Sequence, residues 1–381
     1  MSGASTFHRR RTAAAAWIDY CERLKAAADL LVRDDIPSDE LDLAEGLRYL
    51  AHLSYAAIQR FVDGADPSRP MLYLLCDERI KSGGDNPDNR YYVTAVSDAY
   101  EYELQGRFDA CTYYSIVALD RKDMTSGLTA EERDRRRTAA ARLDSATLQP
   151  EADGSIRVRI SRAATVGNHL RIDEHTNMII VRCTFQSPGV REVELSVRRV
   201  DAKGTGPALT FESLSTRLRA AAEHVHDTSR FFGDWTAKFQ HHLNQLPLGD
   251  QDYIRSTGGD PNILYYLSAW AVGTDQALIV HLPQIPPCLT WNFQLCNQWM
   301  ESLDYTSARI HLNAATARLD ADGGVTIIVC AGDPGHPNWL DTTGHAAGTM
   351  CLRFTGATRP AMTETSLVQM DDARKLGRRV Q

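Results

Sequence analysis

The densest group of side chains that could perform chemistry lies in the segment NHLRIDEH, residues 168–175. Two imidazoles beside carboxylates can act as a general base and the group that orients it, or can bind a divalent metal ion. If the segment is extended, side chains two positions apart share one face. We therefore predict that four of its residues are catalytic: His169, Asp173, Glu174 and His175.

Two other interpretations of this segment stay open. Its spacing matches no established metal-binding motif, so we assign no metal ligand, and an enzyme that uses a metal held by His and Asp is the weaker alternative. The segment could also be a turn whose carboxylates accept hydrogen bonds from backbone amides. In that case its histidines would lie half exposed.

Five further residues are predicted to bind substrate. Arginines can hold an anionic group, and the aromatic segment 291–299 could line a pocket for an apolar small molecule. The same aromatic residues are equally common in a core or at a subunit interface. The predicted substrate-binding residues are Tyr92, Arg171, Arg182, Trp291 and Asn292.

Composition excludes several classes of protein. The net charge of −7 argues against a nucleic-acid-binding protein, and the one basic run, EERDRRR at 131–137, is mixed in sign. No apolar run is long enough to cross a membrane. The eight cysteines form no CxxC pair, so we expect free thiols and a cytoplasmic location. The sequence identifies no cofactor.

The chain contains an internal duplication. At 381 residues it is long enough for two domains, and similar segments recur in the same order along it. We predict two related halves, residues 1–205 and 206–381. The paired segments are 23–32 with 217–226, 83–92 with 258–266, 141–156 with 308–325, and 168–185 with 338–354.

Each half is predicted to begin with helices and to continue with strands. Apolar residues recur at helical spacing early in each half, and alternating β-branched and aromatic runs follow. This order indicates an α+β fold with two related halves, each a helical pair followed by a mostly antiparallel β-sheet or sandwich. The extra residues 68–80 of the first half predict an added strand.

The duplication also separates candidate functional residues from structural ones. His175 aligns with His345 and Asn168 with Asn338, and we interpret such shared residues as parts of the fold. The two asparagines are predicted to satisfy backbone groups in turns. The residues that only the first half has, among them His169, therefore gain weight as functional candidates.

The repeated Gly-Gly-Asp segments have their own alternatives. Neither copy follows a phosphate-binding glycine motif, and acidic residues come directly after the glycines. We predict a tight turn before the Tyr-Tyr strand in both halves. Cation binding by the acidic loop DNPDNR, residues 85–90, is the alternative in the first half.

The C-terminal segment DPGHPNWLDTTGHAAGTMCLRFTG resembles a bacterial family, domain of unknown function 1214. The resemblance covers the C-terminal part of the chain and reaches the first half through the duplication. It implies a β-rich fold and assigns no reaction. The residues that carry it are Asn338, Trp339, Leu340, Gly344, Leu352 and Arg353.

Together these observations predict a cytoplasmic protein that binds a small molecule. The leading function is the binding of an apolar or amphipathic metabolite, and acid–base catalysis on that metabolite is its enzymatic form. A non-catalytic oligomeric scaffold or carrier is the alternative, and a homo-oligomer is compatible with both.

Overall fold

The computed structural model describes residues 3–36, 38–120, 129, 141–187, 192–201 and 208–379. The basic run at 131–137 and the predicted boundary between the halves, at 205–206, lie outside the described residues. The helices are α1 (Gly3–Lys25), α2 (Glu40–Ile58), α3 (Phe211–Phe239), α4 (Gln251–Ser256) and α5 (Met370–Arg379). Shorter helical turns are Ala26–Val32, Gln59–Asp63 and Gln240–His242.

The strands of the first half form two sheets. One sheet has the order β1-β2-β8-β4-β5 and the other has the order β7-β6-β3-β9. All pairs are antiparallel except β6 with β7. The strands are β1 (Tyr73–Leu74), β2 (Asn89–Ala95), β3 (Tyr102–Arg107), β4 (Tyr113–Leu119), β5 (Arg142–Asp144), β6 (Ile156–Ser161), β7 (His169–Arg171), β8 (Met178–Thr184) and β9 (Glu194–Arg199).

The second half repeats this arrangement. Its sheets have the orders β10-β16-β12-β13 and β15-β14-β11-β17, again with one parallel pair, β14 with β15. The strands are β10 (Ile263–Ala271), β11 (Gln276–Leu282), β12 (Thr290–Cys296), β13 (His311–Asn313), β14 (Val325–Cys330), β15 (Trp339–Asp341), β16 (Ala347–Thr355) and β17 (Glu364–Gln369).

The strand orders confirm the predicted α+β fold with two related halves. When β2–β9 are matched to β10–β17 in chain order, the neighbours in both sheets are the same. Only β1 lacks a counterpart among the described strands, and it comes from the extra segment 68–80. Each sandwich encloses its own apolar core, because inward side chains alternate with outward ones along the strands.

The helices form a separate layer in which α3 packs against α1 and α2. The predicted helical pair of the second half is instead one long helix, α3, with the six-residue α4 after it. The apolar residues that recur at helical spacing from Leu214 to Phe239 lie on this one continuous helix, whereas Leu243 and Leu246 come after its end. Gly233 lies within α3, where an added Cβ would be 2.8 Å from the Leu30 side chain, so glycine allows the close approach of that residue.

The two halves are joined by a buried ion pair. Asp260, in the loop before β10, accepts hydrogen bonds from Arg182 at 2.5 Å, Ser115 at 2.9 Å and Tyr113 at 3.0 Å, all in the first half. Arg182 also stacks on Tyr91. The predicted tight turn is present, with Gly258 at positive φ, and its aspartate neutralises an arginine that the first half buries.

A similar loop of the first half makes the corresponding contacts with the second half. Asp85 accepts hydrogen bonds from the backbone N–H and the hydroxyl of Ser302, at 2.8 and 2.7 Å. Arg353, which aligns with Arg182, donates to the Gly84 carbonyl at 2.5 Å. Each half therefore satisfies buried polar groups of the other, and we call these two contacts the reciprocal loops (residues 83–88 and 258–262).

A second pair of hydrogen bonds also joins the two halves, and in each of them an asparagine of one half donates to an aspartate of the other. Asn262 donates to the carboxylate of Asp144 at 2.8 Å, while Asn313 donates to the carboxylate of Asp88 at 2.9 Å. Asp144 and Asn313 occupy matching positions on β5 and β13. The amide and the carboxylate have exchanged sides, which preserves the hydrogen bond in both places.

Replacing Asp260 by Ala should lower the free energy of unfolding by about 3–5 kcal/mol, because Arg182 would stay buried without its counter-charge. Urea unfolding measures this loss. Asp252→Ala is the control, since the Asp252 side chain is 95% exposed. Equal stability of the two variants would contradict the importance assigned to the ion pair.

Candidate functional site

The four residues predicted to be catalytic do not converge in a buried site. His169 lies on the edge strand β7, where its Nε2 is 3.1 Å from the Ser161 hydroxyl. Glu174 and His175 are exposed, and Glu174 faces Arg162 at 3.7 Å. The structure therefore gives the predicted catalytic group no enclosed centre.

Asp173 has the geometry of the turn interpretation. Its Oδ1 accepts hydrogen bonds from the backbone N–H groups of His175 and Thr176 and from the Thr176 hydroxyl, at 2.9–3.1 Å. Burial raises the pKa of Asp173, but these hydrogen bonds outweigh burial and the pKa lies below its usual range. The carboxylate stabilises the turn before β8.

The residues predicted to bind substrate are dispersed. Arg171 is exposed on β7, and Arg182 is the buried partner of Asp260. Trp291 packs in the core of the second sandwich, and Tyr92 packs against the core of the first. Asn292 is buried and donates to Asn86 at 3.0 Å, beside one reciprocal loop. These side chains stabilise the fold and form no common pocket with one another.

The prediction for the two aligned asparagines is confirmed. Asn168 accepts from the Gln149 N–H and donates to two backbone carbonyls. Asn338 makes the same three contacts, with Arg318 and Thr326. Both side chains hold the turn that leads into the parallel strand.

A different group of side chains forms a buried centre where α2 meets the second half. Asp42 and Glu45 are three positions apart and lie on one face of α2. His345 comes from the loop between β15 and β16. One possible ligand atom from each residue lies within 4.8 Å of the others. We call these three residues the carboxylate–histidine cluster.

The local sequence explains why α2 presents these carboxylates. Asp39 caps the helix, with its side chain accepting from the Asp42 N–H at 2.9 Å. Gly46 then allows the Trp299 ring to approach, since a Cβ at this position would be 2.5 Å from the ring. Trp299 donates to the Asp42 carbonyl at 2.9 Å. The first turns of α2 are thereby fixed against the loop after β12.

The orientation of His345 is set from one side of its ring. Nδ1 lies 3.0 Å from the Thr342 carbonyl and 3.1 Å from the Thr343 hydroxyl. A proton on Nδ1 donated to that carbonyl leaves the lone pair of Nε2 facing Glu45 Oε2 at 2.9 Å. Two lone pairs at this distance repel each other, so either a proton or a cation must lie between them.

A second loop surrounds Glu45. Asn297 donates to Glu45 Oε2 at 2.7 Å and to Glu301 Oε2 at 3.1 Å. Arg48 Nη2 lies 2.8 Å from Glu45 Oε1 and 4.0 Å from Glu301. In the same loop Met300 has a φ of 56°, a conformation that is uncommon for a residue other than glycine. The centre thus combines three carboxyl groups with one imidazole and one arginine.

The charges of this centre are only partly compensated. Burial, together with the hydrogen bond and charge of Asp39, raises the pKa of Asp42 to about 7. Burial likewise raises the pKa of Glu301 to about 7. For His345, burial lowers the pKa, but the hydrogen bond and charge of Glu45 outweigh burial and raise it. Asp42 Oδ1 is buried and has no hydrogen-bond partner among the described residues.

The donor set suits a divalent cation. Two carboxylates and one imidazole are ligands for Zn²⁺, Mn²⁺ or Fe²⁺, and hydrogen bonds to the far side of the histidine and to the carboxylate orient both groups. Asp42 is 2% exposed, and the side chains of Glu45 and His345 are 11% and 4% exposed. The cluster is therefore shielded from bulk water.

Sequence reasoning missed this cluster for an identifiable reason. His345 was interpreted as part of the fold because it aligns with His175, yet His345 is buried against Glu45 while His175 is exposed. The available signal was the i, i+3 spacing of Asp42 and Glu45 on an apolar helix. Nothing in the sequence places that helix beside a histidine 300 positions away.

Fold and site together define a class: a duplicated α+β protein with a buried carboxylate–histidine cluster at the junction of a helix and the second sandwich. The chain belongs to the family of an uncharacterized protein from Burkholderia cenocepacia that has a crystal structure. The two sequences are 38% identical. That structure matches over 94% of this chain and 97% of that one, with a TM-score of 0.88.

Other comparisons add little. The VPA0106 protein from Vibrio parahaemolyticus matches over 91% of this chain and 100% of its own, with 12% identity and a TM-score of 0.49. No family model and no curated protein matches the sequence. The function must therefore be argued from the side chains.

The raised pKa values of Asp42 and Glu301 predict a pH-dependent stability for the metal-free protein. Their ordinary values are 3.8 and 4.5, so between about pH 4 and 7 the folded state binds protons that the unfolded chain has lost. This stability is complete below pH 4 and is lost as the pH rises through 7. In chelator, unfolding should cost on the order of 1–3 kcal/mol less at pH 8 than at pH 5.5.

Asp42→Asn tests the origin of this effect, because an amide cannot titrate. Its unfolding free energy should depend less on pH than that of the unmodified protein. The control Asp252→Asn should show the same pH dependence as the unmodified protein. Identical pH profiles for Asp42→Asn and the unmodified protein would contradict the assignment.

Proposed function

We propose that the protein is a metal-dependent enzyme whose centre is a divalent cation held by Asp42, Glu45 and His345. One observation carries this proposal: Oδ1 of Asp42 is buried and has no hydrogen-bond partner in the described part of the chain, in a cluster where an imidazole nitrogen and a carboxylate oxygen face each other at 2.9 Å. A cation would satisfy all three groups at once. Three protein ligands are typical of catalytic sites, which keep a position for water or substrate.

The cation would act as a Lewis acid. It could polarise a carbonyl or phosphoryl oxygen, or lower the pKa of a bound water molecule enough to produce a nucleophile near neutral pH. The side chains of this chain have distinct tasks. Thr342 fixes the ring of His345, and Asn297 fixes the carboxylate of Glu45.

Acid–base catalysis without a metal is the second candidate function, and it continues the expectation of an enzyme that acts on a small metabolite. The contact that favours it is the His345–Glu45 hydrogen bond, which resembles a base and the carboxylate that orients it. Both functions use the same side chains, and metal binding separates them.

We also propose a homo-oligomer. Several large apolar side chains on α1 and α2 are exposed, among them Trp17, Leu47 and Tyr55. By contrast, Trp291 and Trp299 are buried within one chain and would not contribute to such an interface. Light scattering on the purified protein distinguishes a stable oligomer from a monomer.

Two further assignments are proposals of the same kind. The eight free cysteines support a reducing compartment such as the cytoplasm. Within the described residues, none of the helices is both long and apolar enough to cross a membrane. The turn at Asn338 and strand β16 with Leu352 and Arg353 support membership in domain of unknown function 1214.

Metal titration tests the proposed function. Untagged protein stripped with chelator should bind Mn²⁺ or Zn²⁺ with one ion per chain, measured by calorimetry and elemental analysis. His345→Ala and Glu45→Gln should each weaken binding by about tenfold or more, because each removes a ligand.

His175→Ala is the matched control, since His175 is the aligned but exposed histidine of the first half. Its affinity should equal that of the unmodified protein. Absence of stoichiometric binding would overturn the metal-dependent function and leave the acid–base alternative. Equal losses in His175→Ala and His345→Ala would show that the ion binds elsewhere.

A further inference from the structure

We infer that the substrate of this centre carries an oxyanion, a carboxylate or phosphate group, that Arg48 holds beside the metal ion. This inference rests on the proposed metal site and names the class of substrate that the site would take. It comes from the side chains that follow the cluster along α2.

Arg48 is placed to contact both the cluster and a ligand. It lies one helical turn after Glu45, with Nη2 2.8 Å from Glu45 Oε1 and 4.0 Å from Glu301 Oε2. Its side chain is 54% exposed. Among the described residues only Nη2 of this guanidinium has a hydrogen-bond partner, so the N–H groups of Nε and Nη1 can each donate a single hydrogen bond to an oxyanion.

The next turn of α2 carries a further side chain that could donate or accept a hydrogen bond. His52 lies four positions after Arg48, and its Nδ1 is buried without a hydrogen-bond partner among the described residues. Burial and the charges of Arg48 and Arg79 lower the pKa of His52. Arg79 comes from the extra segment 68–80 of the first half and is largely exposed. Arg79 pairs with Asp77 at 3.0 Å, so Arg48 is the cation that borders the negatively charged centre.

This charge pattern predicts that metal and oxyanion bind cooperatively. Without a cation, the carboxylate of Glu45, which lies 2.8 Å from Arg48 Nη2, would repel an anion that approached Arg48. A divalent cation held by the cluster would remove much of that repulsion and could accept one oxygen of the ligand. The metal should therefore increase the affinity for an oxyanion, and by linkage the oxyanion should increase the affinity for the metal.

An alternative role for Arg48 is to neutralise Glu45 and Glu301 as a structural ion pair. The two roles predict different results for Arg48→Gln. If Arg48 only neutralises, the substitution changes stability and leaves the affinity for oxyanions unaltered. If Arg48 holds the substrate, oxyanion affinity falls while Mn²⁺ affinity is kept or rises, because a positive charge near the ion has been removed.

The experiment uses methylphosphonate and acetate as separate probes, because they distinguish a phosphate from a carboxylate preference. Bound Mn²⁺ accelerates the ³¹P or ¹³C relaxation of a probe that binds next to it, so the measurement reports both binding and proximity. The full-length protein is compared with and without Mn²⁺, together with Arg48→Gln and Arg48→Lys. Arg230→Gln is the control, an exposed arginine on α3 that is remote in sequence from the cluster.

The expected result is saturable, Mn²⁺-dependent binding of at least one probe, weakened about tenfold or more in Arg48→Gln and unchanged in Arg230→Gln. Arg48→Lys should retain part of the affinity. If Mn²⁺ binds and neither probe is affected by Arg48→Gln, the inference is overturned and the metal site stands. If Mn²⁺ itself does not bind, the proposed function fails, and the inference fails with it.

Discussion

The structure depends on an exchange of buried polar partners between its two halves. Arg182 is buried in the first sandwich, and the carboxylate that neutralises it, Asp260, belongs to the second. In return, Asp85 and the Gly84 carbonyl of the first half satisfy Ser302 and Arg353 of the second. Because an unpaired buried charge costs several kcal/mol, neither half can keep these residues inside without the loop of the other. The duplication therefore yields one interdependent unit.

The candidate site lies next to this exchange. Gly84 donates to the Met300 carbonyl at 2.6 Å, in the loop whose Asn297 and Trp299 hold Glu45 and the start of α2. One reciprocal loop thus supports the segment that positions the carboxylates. The site is also where the two halves differ. Helix α2 covers His345 in the second half, whereas the aligned His175 of the first half stays exposed. The two halves share a fold, but in the part of the chain that the structure describes the carboxylate–histidine cluster forms only around the histidine of the second half.

The sequence predicted what repeats or is local, and missed what depends on distant neighbours. The two halves, the added strand β1 and the asparagine turns follow from alternation, insertion and turn chemistry. The partner of Arg182 lies 78 positions away, and no periodicity points to it. Leu43 and Leu47 recur at helical spacing, yet both are exposed, and Asp42, Gly46 and Tyr49 face inward instead. The same inward-facing side of α2 carries Asp42 and Glu45 to His345.

Anomalous X-ray diffraction from crystals of the protein grown with Mn²⁺ or Zn²⁺ tests the central claim most directly. The data, collected on both sides of the absorption edge of the metal, should show one strong peak about 2.0–2.3 Å from Nε2 of His345 and from carboxylate oxygens of Asp42 and Glu45. Absence of a peak there at saturating metal, or a peak confined to exposed histidines such as His175, would contradict the metal-dependent centre.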